Sequence, residues 1–134
     1  MAASPPLRRL KRRSEFLAAR NGTSERRKSL VVQARGRRDD DCSIGEGYTA
    51  TKKVGHAPAR ARAKRRLREA ARALLPIHGV PGADYVFIAR GITGRVDWPR
   101  LLDDMKSALI SLAPVLGGES ALPDATPNIA NKKT

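Results

Sequence analysis

The spacing of apolar positions along this chain switches between helical and extended periods and divides it into three helices and three extended runs. Ser14 has the hydroxyl to cap a short helix carrying Glu15, Phe16, Leu17, Ala18 and Ala19, and Asn21-Gly22 supplies a left-handed residue to end it. Lys28 to Arg35 is β-branched and partly alternating, which suits a strand with unlike neighbours on its two faces. A polar loop with Arg37, Arg38 and the triplet Asp39, Asp40 and Asp41 leads to a second extended run, Gly47 to Lys53. That arrangement predicts an antiparallel hairpin. After Pro58, a position tolerated in a first turn, Arg60 to Leu75 runs unbroken to Pro76. Ala63, Leu67, Ala70, Ala71 and Leu74 form one stripe of that helix, and cations fill the opposite arc. Ala83 to Ala89 is almost continuously apolar, as a strand covered on both faces must be, and belongs at the middle of the sheet. Asp97 and Pro99 open a last helix, whose buried face is Trp98, Leu101, Leu102, Met105, Leu109 and Leu112. Residues 1–12 read as a flexible basic arm, 13–113 as a single domain, and 114–134 as a disordered tail.

Charge changes this picture from a generic domain of helices and strands into a polyanion binder. Lys and Arg number 27 against 13 Asp and Glu, a net charge of +14 over 134 residues. Eight of the cations crowd between Thr51 and Glu69, namely Lys52, Lys53, Arg60, Arg62, Lys64, Arg65, Arg66 and Arg68. Like charges at that density repel one another, and a phosphate backbone is the partner that rewards them. Arg60, Lys64 and Arg68 recur every four residues and make a ridge that could follow phosphates. Glu69 can pair with Arg65 or Arg72, which accounts for only part of the charge. Phe16 is either a core residue of the first helix or a ring on which an unpaired base stacks.

Other chemistries have little support. Cys42 is alone, so there is no internal disulfide framework and no cysteine zinc site, in keeping with a reducing cytosol. No apolar run approaches the roughly 20 residues of a membrane span. Aromatics are 4% of the chain, fewer than interfacial helices carry, so cytoplasmic location and no membrane partner are expected. His56 and His78 read as surface or packing residues, and Gly45, Gly47 and Gly55 lack the Lys-Ser/Thr ending of a phosphate loop. Three consecutive aspartates do not converge as hard-cation ligands do, so Asp39 to Asp41 read as a solvated loop. No catalytic residue and no protein-held metal are expected.

One long stretch, Lys52-Lys53-Val54-Gly55 followed by Arg60, Arg62 and Lys64-Arg65-Arg66-Leu67-Arg68-Glu69, resembles the signature helix of the bacterial ribonuclease P protein component. The resemblance extends from Glu15-Phe16-Leu17, through Gly47-Tyr48-Thr49-Ala50-Thr51 and the Asp84 to Arg90 strand, to the last helix, about residues 8–112. It departs from the family pattern at His56 and Ala61, where asparagines are usual, and at Arg20, where another aromatic is common. Those departures replace polar and stacking groups and make the binding cleft more electrostatic.

The resemblance implies an α/β (α+β) two-layer sandwich of a four-stranded mixed sheet and three helices. Such a fold is similar to the second domain of a ribosomal small-subunit protein, with a left-handed βαβ crossover. General chain chirality would have given the right-handed form, which holds in about 98% of cases. It implies as partners a catalytic RNA and precursor transfer RNA, with no obligate protein partner. Mg²⁺ bound mainly by the RNA would cleave the substrate to leave a mature 5′ end. The protein would contribute a groove for the single-stranded 5′ leader, with Val32, Ala34, Thr49 and Thr51 beside Phe16, Arg20 and Arg60. Lys52, Lys53 and a second surface of Arg62, Lys64, Arg65, Arg66 and Arg68 would meet RNA phosphates. A structural RNA-binding protein of ribosomal type is the competing reading, and an autonomous metal nuclease built on Asp39 to Asp41 is a distant third.

Overall fold

Strand β5 (Ala83–Ala89) lies between β3 (Leu30–Gly36), which it pairs antiparallel, and β4 (Ile44–Thr49), which runs parallel to it. The computed structural model describes residues 5–37 and 39–117. Two short strands flank this trio, β1 (Leu7–Arg9) on β4 and β2 (Thr23–Arg26) on β3, giving the order β1-β4-β5-β3-β2. The mixed α/β sandwich with three helices is as expected, but the sheet has five strands rather than four.

The expected hairpin between the two early strands does not exist, because β5 is inserted between them. The polar loop after β3 instead bridges the start of β5. Arg37 N–H donates to Gly82 C=O at 3.0 Å, and Gly82 N–H donates to Cys42 C=O at 3.1 Å. β3 forms its hairpin with β2, whose polar sequence Thr23–Arg26 carries no strand signal and which survives as an edge. Nor are residues 7–9 of the presumed arm free, since they pair in parallel with 44–46 and Leu10 N–H closes on Glu46 C=O at 2.9 Å. Of the expected tail, residues 118–134 lie outside the described residues.

The helices cover the two faces unequally. Helix α2 (Ala57–His78) makes the crossover between parallel β4 and β5, and α3 (Trp98–Leu112) lies beside it on the same face. Leu30, Val32, Ala34, Ile44, Tyr48, Tyr85 and Phe87 meet Ala63, Leu67, Leu75, Leu101, Met105 and Leu109 there in one core. The alanines of α2 let its backbone lie close to the sheet. Leu75 is the fully buried leucine at the end of the stripe, Leu74 packs partly buried against the same core, and Trp98 stays exposed at the start of α3. Pro76 does not stop α2. It forfeits one helical hydrogen bond, but the final turn is closed by Gly79 N–H on Leu75 C=O at 2.8 Å.

Helix α1 (Arg13–Arg20) crosses the opposite face and buries its Ala19 against Leu10 and Val86. Its start precedes Ser14, because the Glu15 carboxylate reaches back to accept from Lys11 N–H and Arg12 N–H, both at 3.1 Å. Its end uses no left-handed residue, since Asn21 sits at φ −84°. Gly22 serves a different need: a Cβ there would lie 2.2 Å from Ala34 O, so the chain passes that close only without a side chain.

Candidate nucleic-acid interface

Because α1 covers only part of its face, a groove of about 210 Å³ remains between it and the sheet. Gln33, Thr49, Val86 and Ile88 form its floor, and Arg13, Phe16, Leu17 and Arg20 line its helical wall. The Phe16 ring is half-buried and packs over Gly47, where an added Cβ would lie 2.7 Å from the ring edge. The ring therefore packs against the core and also lines the groove. Thr49 and Arg20 take their expected places.

Val32 and Ala34 do not. Both are fully buried on the other face of β3, against α2 and α3. Strand side chains alternate, so the residues turned toward α1 are Val31, Gln33 and Arg35, in register with Ile88, Val86 and Asp84. The polar members Gln33 and Arg35 were the available sign of the wet face, hidden by the adjacent valines. Thr51 lies past the end of β4, exposed, and its hydroxyl accepts from Lys53 N–H at 3.3 Å to open a short turn at Lys52–Val54. Lys52 and Lys53 are exposed in that turn.

The cations of α2 divide into two sets. Arg62 and Arg65 are exposed, Lys64 is half-exposed, and none of the three has an ion pair or side-chain hydrogen bond among the described residues. Arg66, expected at the RNA-facing surface, is instead a tie within the fold: it donates to Thr93 C=O at 2.8 Å and Val96 C=O at 2.6 Å, and lies over the Trp98 ring. Arg60 donates to Gly55 C=O at 3.3 Å, and Arg68 sits 6.0 Å above the centre of the Tyr48 ring. The expected ridge of Arg60, Lys64 and Arg68 is thus partly turned toward the sheet. Beneath it, buried Glu46 accepts from the Tyr48 hydroxyl and pairs with Arg72 Nε at 3.5 Å. Burial, reinforced by Glu46, raises the Tyr48 phenol far above its ordinary range, so it remains a proton donor.

On the α1 face a second network holds the strand ends together. The fully buried Asp84 carboxylate is met by Arg37 Nη1 at 2.6 Å, Arg35 Nη2 at 3.3 Å and Arg8 Nη2 at 3.7 Å. Burial alone would lower the Arg37 pKa, but hydrogen bonds to Asp84 and Asp39 outweigh it and raise it. Arg37 also donates to the Asp41 and Ser43 carbonyls at 2.6 and 2.8 Å. The Asp41 carboxylate takes Ser43 N–H at 2.8 Å, which holds its pKa below the usual range. Asp39 and Asp41 thus fasten a loop, and no group of three or more His, Cys, Asp or Glu converges as a metal site among the described residues.

Glu15 adds a pH-dependent contribution. Arg12 N–H lowers its pKa, burial opposes this, and Lys11 N–H and Arg8 assist the lowering. A lowered folded-state pKa adds stability that is complete above the ordinary value near 4.5 and is lost as pH falls through the folded value. Urea unfolding between about pH 6 and pH 3 should therefore show a smaller acid loss for Glu15→Gln than for wild type. Identical acid losses would contradict this.

Residues 5–113 match the ribonuclease P family. The chain is 53% identical over 129 residues to the ribonuclease P protein component of Caulobacter vibrioides, covering 90% of this chain and 87% of that protein. It is 46% identical over 114 residues to the ribonuclease P protein component of Ruegeria pomeroyi, covering 84% of this chain and 91% of that one. The chain belongs to the ribonuclease P protein family. A solved structure, the ribonuclease P protein of Thermotoga maritima, superposes with a TM-score of 0.64 at 28% identity, covering 78% of this chain and 96% of that one. The departures from the family pattern now have places. His56 is the exposed N-cap of α2 and makes no side-chain capping bond, Ala61 lies on the exposed side of the first turns of α2, and Arg20 lines the groove beside Phe16. No helix among the described residues is long and apolar enough to cross a membrane.

Proposed function

We propose that this chain is the protein subunit of ribonuclease P, which binds a catalytic RNA and the 5′ leader of precursor transfer RNA in the cytoplasm. The observation that carries the reading is a groove walled by Arg13, Phe16 and Arg20, in a protein whose signature helix keeps Arg62, Lys64 and Arg65 without partners among the described residues. Such a groove suits a single strand, with the ring and the apolar floor available to bases and the arginines to phosphates. The acidic side chains of the described residues do not cluster as Mg²⁺ ligands, so in this reading the ion is held by the RNA. Bound there, the ion would supply an activated water and charge stabilisation at the leaving oxygen. This chain positions the leader and lowers the repulsion between two polyanions.

Reconstitution tests the proposal. At low Mg²⁺, purified catalytic RNA should cleave a precursor transfer RNA faster with the protein than without it, and the protein alone should cleave nothing. Lack of stimulation, with RNA binding retained, would favour a structural role of ribosomal type. Cleavage by the protein alone, lost when Asp39 to Asp41 become Asn, would favour an autonomous nuclease.

A further inference from the structure

A second, smaller groove lies where the loop between β5 and α3 meets the first turns of α2, and its electrostatics are one-sided. It measures about 120 Å³ and is lined by Val54, Ala59, Arg62, Gly91, Gly94 and Arg95, with no acidic residue among them. Arg62 and Arg95 are exposed and have no ion pair or side-chain hydrogen bond among the described residues. The backbone N–H groups of Gly91 and Gly94 likewise have no partner there. At Gly91 an added Cβ would meet no atom within 4 Å, so the backbone is open to close approach.

The loop that carries this wall is held in place before any ligand arrives. Arg66 clamps the Thr93 and Val96 carbonyls to α2. The buried Thr93 hydroxyl accepts from Arg90 N–H at 2.7 Å and donates to Ser29 C=O at 2.5 Å, tying the loop to the β2–β3 turn. Arg95 N–H and Val96 N–H both close on Ile92 C=O. With the loop backbone already fixed, an anion bound there has to order only the two arginine side chains, and guanidinium forks match phosphate oxygens.

We propose that this groove seats a phosphodiester of RNA between Arg62 and Arg95, which makes Arg95 an RNA-contacting residue and Arg66 its positioning residue. The inference rests on the reading of the chain as a ribonuclease P subunit. The phosphate could belong to the catalytic RNA or to precursor transfer RNA, so affinity is measured in two arms across a salt series. One arm titrates the catalytic RNA with protein, and the other titrates the assembled complex with precursor.

Arg95→Ala should weaken binding about 3- to 10-fold at 0.1 M salt in one arm and flatten its log–log salt slope by roughly 0.7 to 0.9, the share of one phosphate contact. The responding arm identifies the source of the phosphate. Gly91→Ala should weaken the same arm with an unchanged melting temperature, because its methyl enters open space rather than the protein. Lys106→Ala, an exposed charge on α3, is the control for general loss of charge. If Arg95→Ala and Gly91→Ala bind like that control while Lys64→Ala/Arg65→Ala binds weakly, the groove proposal fails and the subunit reading stands. If the wild-type protein neither binds nor stimulates the catalytic RNA, the subunit reading itself fails.

Discussion

Replacing Asp84 by alanine should lower the unfolding free energy by about 3–5 kcal/mol, the usual cost of removing one partner from a buried ion pair. Asp84 is fully buried, and the Arg37 side chain beside it retains 5% exposure, so the arginine would keep the exposed Asp39 as its close carboxylate partner with little water to replace the lost one. Arg35 and Arg8 are more exposed and lose less. With a urea slope of roughly 2 kcal/mol per molar, the midpoint should fall by about 2 M. That is a large share of the 5–15 kcal/mol or so that holds a small domain together. The double variant Asp84→Ala/Arg37→Met should recover part of the loss, because it removes the stranded charge as well. A fall under about 1 kcal/mol for Asp84→Ala would mean that the network adds little.

The largest functional effect should come from Lys64→Ala/Arg65→Ala. Both side chains lack partners among the described residues, and alanine is at least as good a helix former, so the fold should persist. Affinity for the catalytic RNA should drop on the order of 10- to 100-fold near physiological salt, with the salt slope smaller by roughly 1.4 to 1.8 for two phosphate contacts. At high salt the variant and wild type should converge, because the lost term is electrostatic. An unchanged slope would show that these cations face solvent in the complex. Arg66→Ala is the informative contrast: its guanidinium is committed to the Thr93 and Val96 carbonyls, so it should lower the melting temperature as well as weaken binding.

Elements whose environment follows from their own residues were legible in the sequence. Ala83–Ala89 is apolar but for Asp84 and is central, and α3 shows its stripe at helical spacing. The errors came where a distant partner decides. β2 is polar, and it is a strand because β3 offers it an edge; Leu7–Arg9 is a strand because β4 does. In β3, Val31 and Val32 are both apolar, so alternation alone did not reveal which faced α1, and a shift of one residue exchanged the groove face for the core. Arg65 and Arg66 are indistinguishable as letters. Their fates differ because two carbonyls of a loop some 30 residues later stand opposite only one of them.

The position of β5 also bears on how the chain assembles. Before it is synthesised, the nascent protein can form only two separate ribbons, β1 with β4 and β2 with β3, and isolated two-stranded ribbons are marginal in water. The strand that unites them is made after most of the basic residues have been synthesised, so folding waits on a late, non-local event. During that interval the polypeptide is a polycation without its assembled sheet. Any contact with a polyanion made in that interval would precede the architecture that could make it selective.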